Sequence, residues 1–189
     1  SAWILMNSAT DIWPGGLGSS SGELGHNLMD HHYRIGAMGS YDGFEDHYYK
    51  GRRPNGIYIP RYKNLDEKTK ANDFIRGYGY QGSGGRGSWS RGVNDAGFGA
   101  EFKDSLSHPG GWGMSLVGFG ECLPYHENKM TLNHDKKDKW GRPLLAVDCE
   151  FKENEKLMHE DMANTAKELL ENAGFKDINV SSDMSFPGN

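Results

Sequence analysis

Four stretches carry side chains whose types and spacing could do chemistry. The first is Gly22-Glu23-Leu24-Gly25-His26-Asn27-Leu28-Met29-Asp30-His31-His32, a polar, glycine-hinged turn. His26, Asp30, His31 and His32 are metal-ligand types, but adjacent His31 and His32 point to opposite sides of an extended chain and cannot easily serve one ion. There is no HExxH and no Cys/His pair at zinc spacing. The turn is therefore read as a hydrogen-bonded loop, with Asn27 and Asp30 bonding local backbone. The second stretch, Gly77-Tyr78-Gly79-Tyr80-Gln81-Gly82, matches GxGxxG literally. That motif cradles a pyrophosphate only between a buried strand and a helix N-terminus. A Ser/Gly/Arg loop follows here, so glycines inside an antiparallel strand explain the pattern better.

The third group is aromatic. Tyr78, Tyr80, Trp89 and Trp112, with Gln81, Arg76, Arg86 and Arg91 nearby, suit a wall for a sugar-like ligand. Ring faces pack on the C–H faces of a polyol, while Arg and Gln bond its hydroxyls. The same residues read equally well as an ordinary aromatic β core. Last comes Glu121, closing an apolar run just before Pro124: a functional carboxylate, or a partly solvated strand end. No Ser-His-Asp arrangement can be argued, and Gly15-Gly16-Leu17-Gly18-Ser19 lacks the flanking strand and helix of a nucleophile elbow.

The elements that must position these groups follow from periodicity. Ser1 to Ser8 reads as the last turns of a helix, too short to be stable alone. Asp11 to Ser21 is a Gly/Ser loop. Alternation predicts strands over His31 to Gly39, Gly56 to Tyr62 (an edge, because of Pro60), Phe74 to Gly82 and Gly113 to Pro124. Further strands are predicted over Lys129 to Asn133, Pro143 to Lys152 and Asp177 to Ser181. In the strand over Phe74 to Gly82, Arg76, Tyr78 and Tyr80 share one face, while Ile75, Gly77, Gly79 and Gln81 share the other. Glu155 to Ala173 predicts the one long helix, with Leu157, Met158, Met162, Ala166, Leu169 and Leu170 on one face. Asn154 is its expected cap and Gly174 its expected end. A helix between Pro143–Lys152 and Asp177–Ser181 suggests strand–helix–strand packing. The expected class is α+β, a mostly antiparallel sheet with helices packed on one side.

Composition narrows the function classes. The 189 residues suffice for one well-buried domain or two very small ones, and a 12% aromatic content supplies large buried area. A net charge of −5 with both signs interspersed argues against a nucleic-acid partner. No apolar run approaches the roughly 20 residues of a membrane helix. Two cysteines, Cys122 and Cys149, make no disulfide framework and read as reduced, partly buried thiols.

Several segments, in order, resemble the glucose–methanol–choline (GMC) family of flavin oxidoreductases. Ser1-Ala2-Trp3-Ile4-Leu5-Met6-Asn7-Ser8 resembles the end of the family's second signature. Gly25-His26-Asn27-Leu28-Met29-Asp30-His31 resembles its Gly-Arg-Asn-Leu-x-Asp-His turn, with His26 in place of the Arg. Glu121-Cys122-Leu123-Pro124, Glu127-Asn128-Lys129-Met130-Thr131-Leu132 and Asp138-Lys139-Trp140-Gly141-Arg142-Pro143 resemble the hairpin before its C-terminal segment. The resemblance implies a substrate-binding domain over 22–189, with 1–21 the tail of a missing FAD-binding domain. It implies hydride transfer from a CH–OH group of an alcohol or sugar to FAD, with Asn27, Asp30 and His31 near the flavin. The family's flavin fingerprint and catalytic His are expected outside residues 1–189, so the chain alone is expected to bind no FAD and to be inactive. Tyr78, Tyr80, Gln81, Trp89 and Glu121 are then the expected substrate-binding residues. The alternative is a non-enzymatic carbohydrate-binding module on the same aromatic platform.

Overall fold

A computed structural model describes residues 1–32, 35–45, 56–93 and 95–183. The expectation for Tyr33 and Arg34 in the first strand lies outside them. The fold is α+β and its sheets are antiparallel. The chain divides into two compact units, Ser1–His31 with Cys122–Glu153, and His32–Glu121 with Asn154–Met184.

The first unit contains α1 (Ala2–Met6) and a two-stranded sheet of β5 (Lys129–Lys137) and β6 (Pro143–Asp148). The Trp3 indole donates to the Pro143 carbonyl at 2.7 Å, which anchors the short α1. The Arg142 guanidinium lies over the rings of Trp3 and Trp140, at 4.8 and 4.9 Å. Asp138 shapes the hairpin turn by accepting the backbone N–H groups of Trp140 and Arg142, each at 2.9 Å. Those bonds hold its carboxyl below the usual range. Gly25, at φ 90°, lets the 22–32 turn run against β5: its carbonyl accepts Met130 N–H at 2.8 Å. A Cβ at Gly25 would stand 2.4 Å from the Met130 carbonyl oxygen. Buried Asn128 continues the seam, its carbonyl accepting Leu28 N–H and its side chain bonding both backbone groups of Glu150. Cys149 and Phe151 form a small core with Leu28 and Cys122, and the two cysteines form no disulfide with each other.

The second unit is a five-stranded sheet in the order β2-β3-β4-β1-β7, built from β1 (Ile35–Tyr41), β2 (Gly56–Ile59), β3 (Tyr78–Arg86), β4 (Trp112–Gly120) and β7 (Lys176–Ser182). Strand β2 is an edge, as Pro60 implies. The helix α3 (Glu153–Asn172) buries Met158, Met162, Ala163, Ala166 and Leu170 against Ile35, Ala37, Tyr78, Tyr80 and Leu116 of the sheet. A second helix, α2 (Gly99–Ser107), lies in the β3–β4 connection and buries none of its residues.

Two expectations are corrected. Strands β6 and β7 are not partners around α3: β6 pairs β5, while β7 pairs β1. Outward-facing Leu145 and Val147 of β6 mimic a buried strand in sequence because their apolar face has no local signature of its surroundings. Nor does Asn154 cap α3, which starts one residue earlier. Its amide oxygen accepts Ile75 N–H at 2.8 Å, tying the helix start to the approach to β3.

His159 lies on α3 with its ring edge-on to His32, centroids 4.5 Å apart, and both are buried. Burial holds its pKa below the ordinary imidazole value, partly opposed by the charge of Glu155 one turn earlier. The fold thus favours neutral His159, whereas the unfolded chain takes up the proton near pH ~6.5. Its stabilisation is complete above that value and is lost as pH falls toward the lowered folded-state pKa. Urea denaturation at about pH 7.5 and about pH 5.5 is expected to show a loss on acidification that shrinks in His159→Gln. An equal loss in both proteins would assign the acid sensitivity elsewhere.

Candidate functional site

The five-stranded sheet has two unlike faces, and the strand period of two assigns each residue to one of them. In register across the sheet, Ile59, Tyr80 and Gly118 face α3, as do Ile57, Gly82, Leu116 and Ala37. The neighbours one position along face the other way. Tyr58 pairs with Gln81 and Gln81 with Val117; Ser83 pairs with Ser115, Ser115 with Met38, and Met38 with Asn179. This second face is open: Tyr58 is 72% and Met38 58% exposed. Cavities run along it. One of about 530 Å³ is lined by Met38, Ser83, Trp112, Ser115 and Asn179, and another of about 340 Å³ by Met38, Val117, Asn179 and Ser181. A third, of about 220 Å³, is lined by Tyr58, Arg61, Gln81, Phe119 and Glu121. Hydroxyls, amides, three rings and a methionine, with few fixed charges, make a surface for a neutral polar ligand.

The end of this face is built by a chain crossing. After β2 the segment Ile59–Lys63 passes over the start of β3, and Gly77 and Gly79 make room for it. A Cβ at Gly77 would meet Arg61 Nε at 2.7 Å, and one at Gly79 would meet the Ile59 carbonyl oxygen at 2.7 Å. The glycines of the GxGxxG pattern thus admit backbone, not phosphate. Arg61 lies across them and its Nη1 bonds both carboxylate oxygens of Glu121, at 3.2 and 3.1 Å. Its other nitrogens donate to the carbonyls of Lys63 and Asn64, at 3.2 and 2.8 Å.

The larger cavity of about 600 Å³ on the helix side, between residues 62–74 and α3, is a weaker candidate. Lys63 there is held by Asp161 at 2.6 Å, and Lys70 stands 3.5 Å from Glu67. Lys63 and Asp161, its closest charged pair, already serve the fold.

The expected substrate residues separate. Gln81 and Glu121 lie on the open face. Tyr78 and Tyr80 do not: at 1% and 0% exposure they belong to the core beneath α3, which corrects their expected place in a ligand wall. The Tyr78 hydroxyl donates to Asp161, with Thr165 Oγ1 at 3.2 Å, and the Tyr80 hydroxyl donates to the Met162 carbonyl at 2.6 Å. Burial raises the pKa of both phenols, with Asp161 adding to the effect on Tyr78. Arg86 and Arg91 are likewise directed to backbone: Arg86 to Gly110 and Glu45, Arg91 to Ser88, Ser105 and His108. Trp89 is 70% exposed on a short 3₁₀ turn (Trp89–Gly92) in the β3–β4 connection, and Trp112 donates to the Phe44 carbonyl at 2.8 Å. Tyr58, Arg61, Ser83, Ser115, Phe119 and Asn179 were missed. Their signal was present as strand alternation, which separates the two faces without saying which one a helix covers.

Asn27, Asp30 and His31 lie in the other unit. Asn27 takes a left-handed conformation (φ 58°) and its amide donates to Glu23 at 2.6 Å. The Asp30 carboxylate accepts His31 N–H at 2.7 Å, and its carbonyl accepts the Cys122 thiol at 2.8 Å. His26 stacks on His126 and donates to its carbonyl at 2.6 Å. These bonds shape the turn. Among the described residues, no parallel strand pair leads through a glycine-rich loop into a helix. No group of three or more His, Cys, Asp or Glu is placed to hold a metal, and no helix is long and apolar enough to cross a membrane, among the same residues.

No family model matches the chain. It is similar to 2-methyl-1,2-propanediol dehydrogenase of Mycolicibacterium austroafricanum, with 29% identity over 173 residues. The similar region takes in 80% of this chain and 28% of that enzyme, so the chain spans under a third of its relative's length. The likeness is to an oxidoreductase.

The crossing makes a direct prediction. Gly79→Ala places a methyl against the Ile59 carbonyl and 3.3 Å from Arg61 N, so the crossing chain must move. A destabilisation of roughly 1–3 kcal/mol is expected in urea denaturation. An unchanged midpoint would show that the crossing is not a tight contact.

Proposed function

We propose that this chain is the substrate-binding domain of an FAD-dependent oxidoreductase of the GMC type, acting on CH–OH groups of an alcohol or sugar. The observation that carries this reading is the one-sided sheet: α3 covers one face, and the other presents Tyr58, Gln81, Ser83, Ser115, Phe119 and Asn179 uncovered. A sheet with a bare polar and aromatic face serves as one wall of a cavity that other polypeptide completes. The ordered motifs around Asn27-Leu28-Met29-Asp30-His31 and Asp138-Lys139-Trp140-Gly141-Arg142-Pro143 support the family. The similarity to an enzyme named for a diol substrate, several times longer than this chain, supports the reaction class and the division of labour.

FAD would supply hydride acceptance, and it would be held by polypeptide other than residues 1–189. The work left to this chain is binding: amides and hydroxyls orient the substrate, and the rings of Tyr58 and Phe119 exclude water from its carbon side. The alternative, a carbohydrate-binding module on an aromatic platform, loses Tyr78 and Tyr80 to the core and keeps Trp89 and Trp112.

The test is optical. The full-length protein containing this chain is expected to show a flavin spectrum and to reduce a redox dye with an alcohol or sugar. Purification without flavin, together with failure to reconstitute with FAD, would overturn the proposal.

A further inference from the structure

The end of the open face bears a carboxylate, an amide and two rings around one cavity of about 220 Å³: Glu121, Gln81, Tyr58 and Phe119. The Glu121 side chain is 50% exposed although it is paired. Arg61 engages each of its oxygens through a single nitrogen, Nη1. An ionised carboxylate offers about four acceptor positions, so roughly two stay open to a ligand. Arg61 is differently placed. Its Nε and Nη2 donate to the Lys63 and Asn64 carbonyls and its charge is met by Glu121, so it is a poor receptor for an anion.

We propose that Glu121, oriented by Arg61 and flanked by Gln81, is a receptor for two adjacent hydroxyls, selecting neutral vicinal diols over both monoalcohols and hydroxy acids. This deepens the reading of the open face as a substrate wall and rests on it. Two neighbouring O–H donors match the two oxygens of one carboxylate, and bonds to an ionised acceptor are the stronger kind. The Gln81 amide both donates and accepts, so it can bond a hydroxyl in either sense. The rings of Tyr58 and Phe119 cover the carbon skeleton. A carboxylate on the ligand meets the charge of Glu121, with Asp177 and Asp183 further along the same face, while the cations lining its cavities, Arg61 and Arg86, are engaged by Glu121 and by backbone carbonyls.

A matched set of ligands separates the terms: propane-1,2-diol, propan-1-ol and lactate, compared by ligand-observed NMR titration of the protein. The diol is expected to bind about tenfold tighter than the monoalcohol, the worth of one charge-assisted hydrogen bond, and lactate is expected to bind weakest. In Glu121→Gln the diol-to-monoalcohol ratio is expected to fall toward one. Gln81→Leu, on an exposed position, provides a second variant and should lower the same ratio in part. Equal wild-type affinities for the diol and the monoalcohol, preference for lactate, no binding of any of the three, or an unchanged ratio in folded Glu121→Gln would each overturn the proposal. The readout needs no redox chemistry, so a full-length protein without flavin would overturn the enzymatic reading and leave this measurement standing.

Discussion

The packing of one helix against one face of one sheet is the constraint on which the rest of the second unit depends. Helix α3 presents Met158, Met162, Ala166 and Leu170 along a single stripe, and all four are fully buried against the strands. Burying a side chain of that size stabilises by about 1.5–3 kcal/mol, so the stripe is the largest single contribution of the element. Polar bonds fix its position. The Tyr80 hydroxyl reaches the Met162 carbonyl, and the Tyr78 hydroxyl reaches Asp161 one residue earlier. An unsatisfied buried phenol is costly, so these bonds disfavour sliding of the helix along the strands. Gly118 and Gly120 face the same stripe, where a Cβ would collide with Met162 and with Met158 and His32.

Covering one face defines the other. With α3 on one side, every second residue of β1–β4 and β7 is left outward, and apart from Met38 and Val117 these residues are small, polar or aromatic. The outward positions of a half-covered antiparallel sheet need no core packing and are free to serve a ligand. The chain crossing at Ile59–Lys63 then closes one end of this surface and delivers Arg61 to Glu121. Gly77 and Gly79 thus act through their missing side chains. They let a backbone segment cross the sheet, and the segment brings the guanidinium that orients the carboxylate.

The first unit has its own logic. Gly25 and Asn128 join the Gly22–His32 turn to β5 by backbone bonds, the side-chain bonds of Asn27 and Asp30 are directed inward to the turn, and His26 bonds the His126 carbonyl. The polar character of that turn is explained by its own geometry before any ligand is considered.

The chain itself determined which residues form elements. The apolar stripe of α3 is legible at helical spacing, Pro60 marks an edge, and alternation along β3 separates Tyr78 and Tyr80 from Gln81. Each of these depends on local geometry that neighbouring residues share. Tertiary structure alone decided which face of β3 is covered, because a tyrosine serves equally well as core or as ligand wall until a helix arrives. It decided that β6 pairs with β5 and β7 with β1, because strand pairing is a contact between distant segments with no local signature. It also decided that Arg61 meets Glu121: they lie 60 positions apart, and the chain between them had to fold before a guanidinium and a carboxylate could share one cavity.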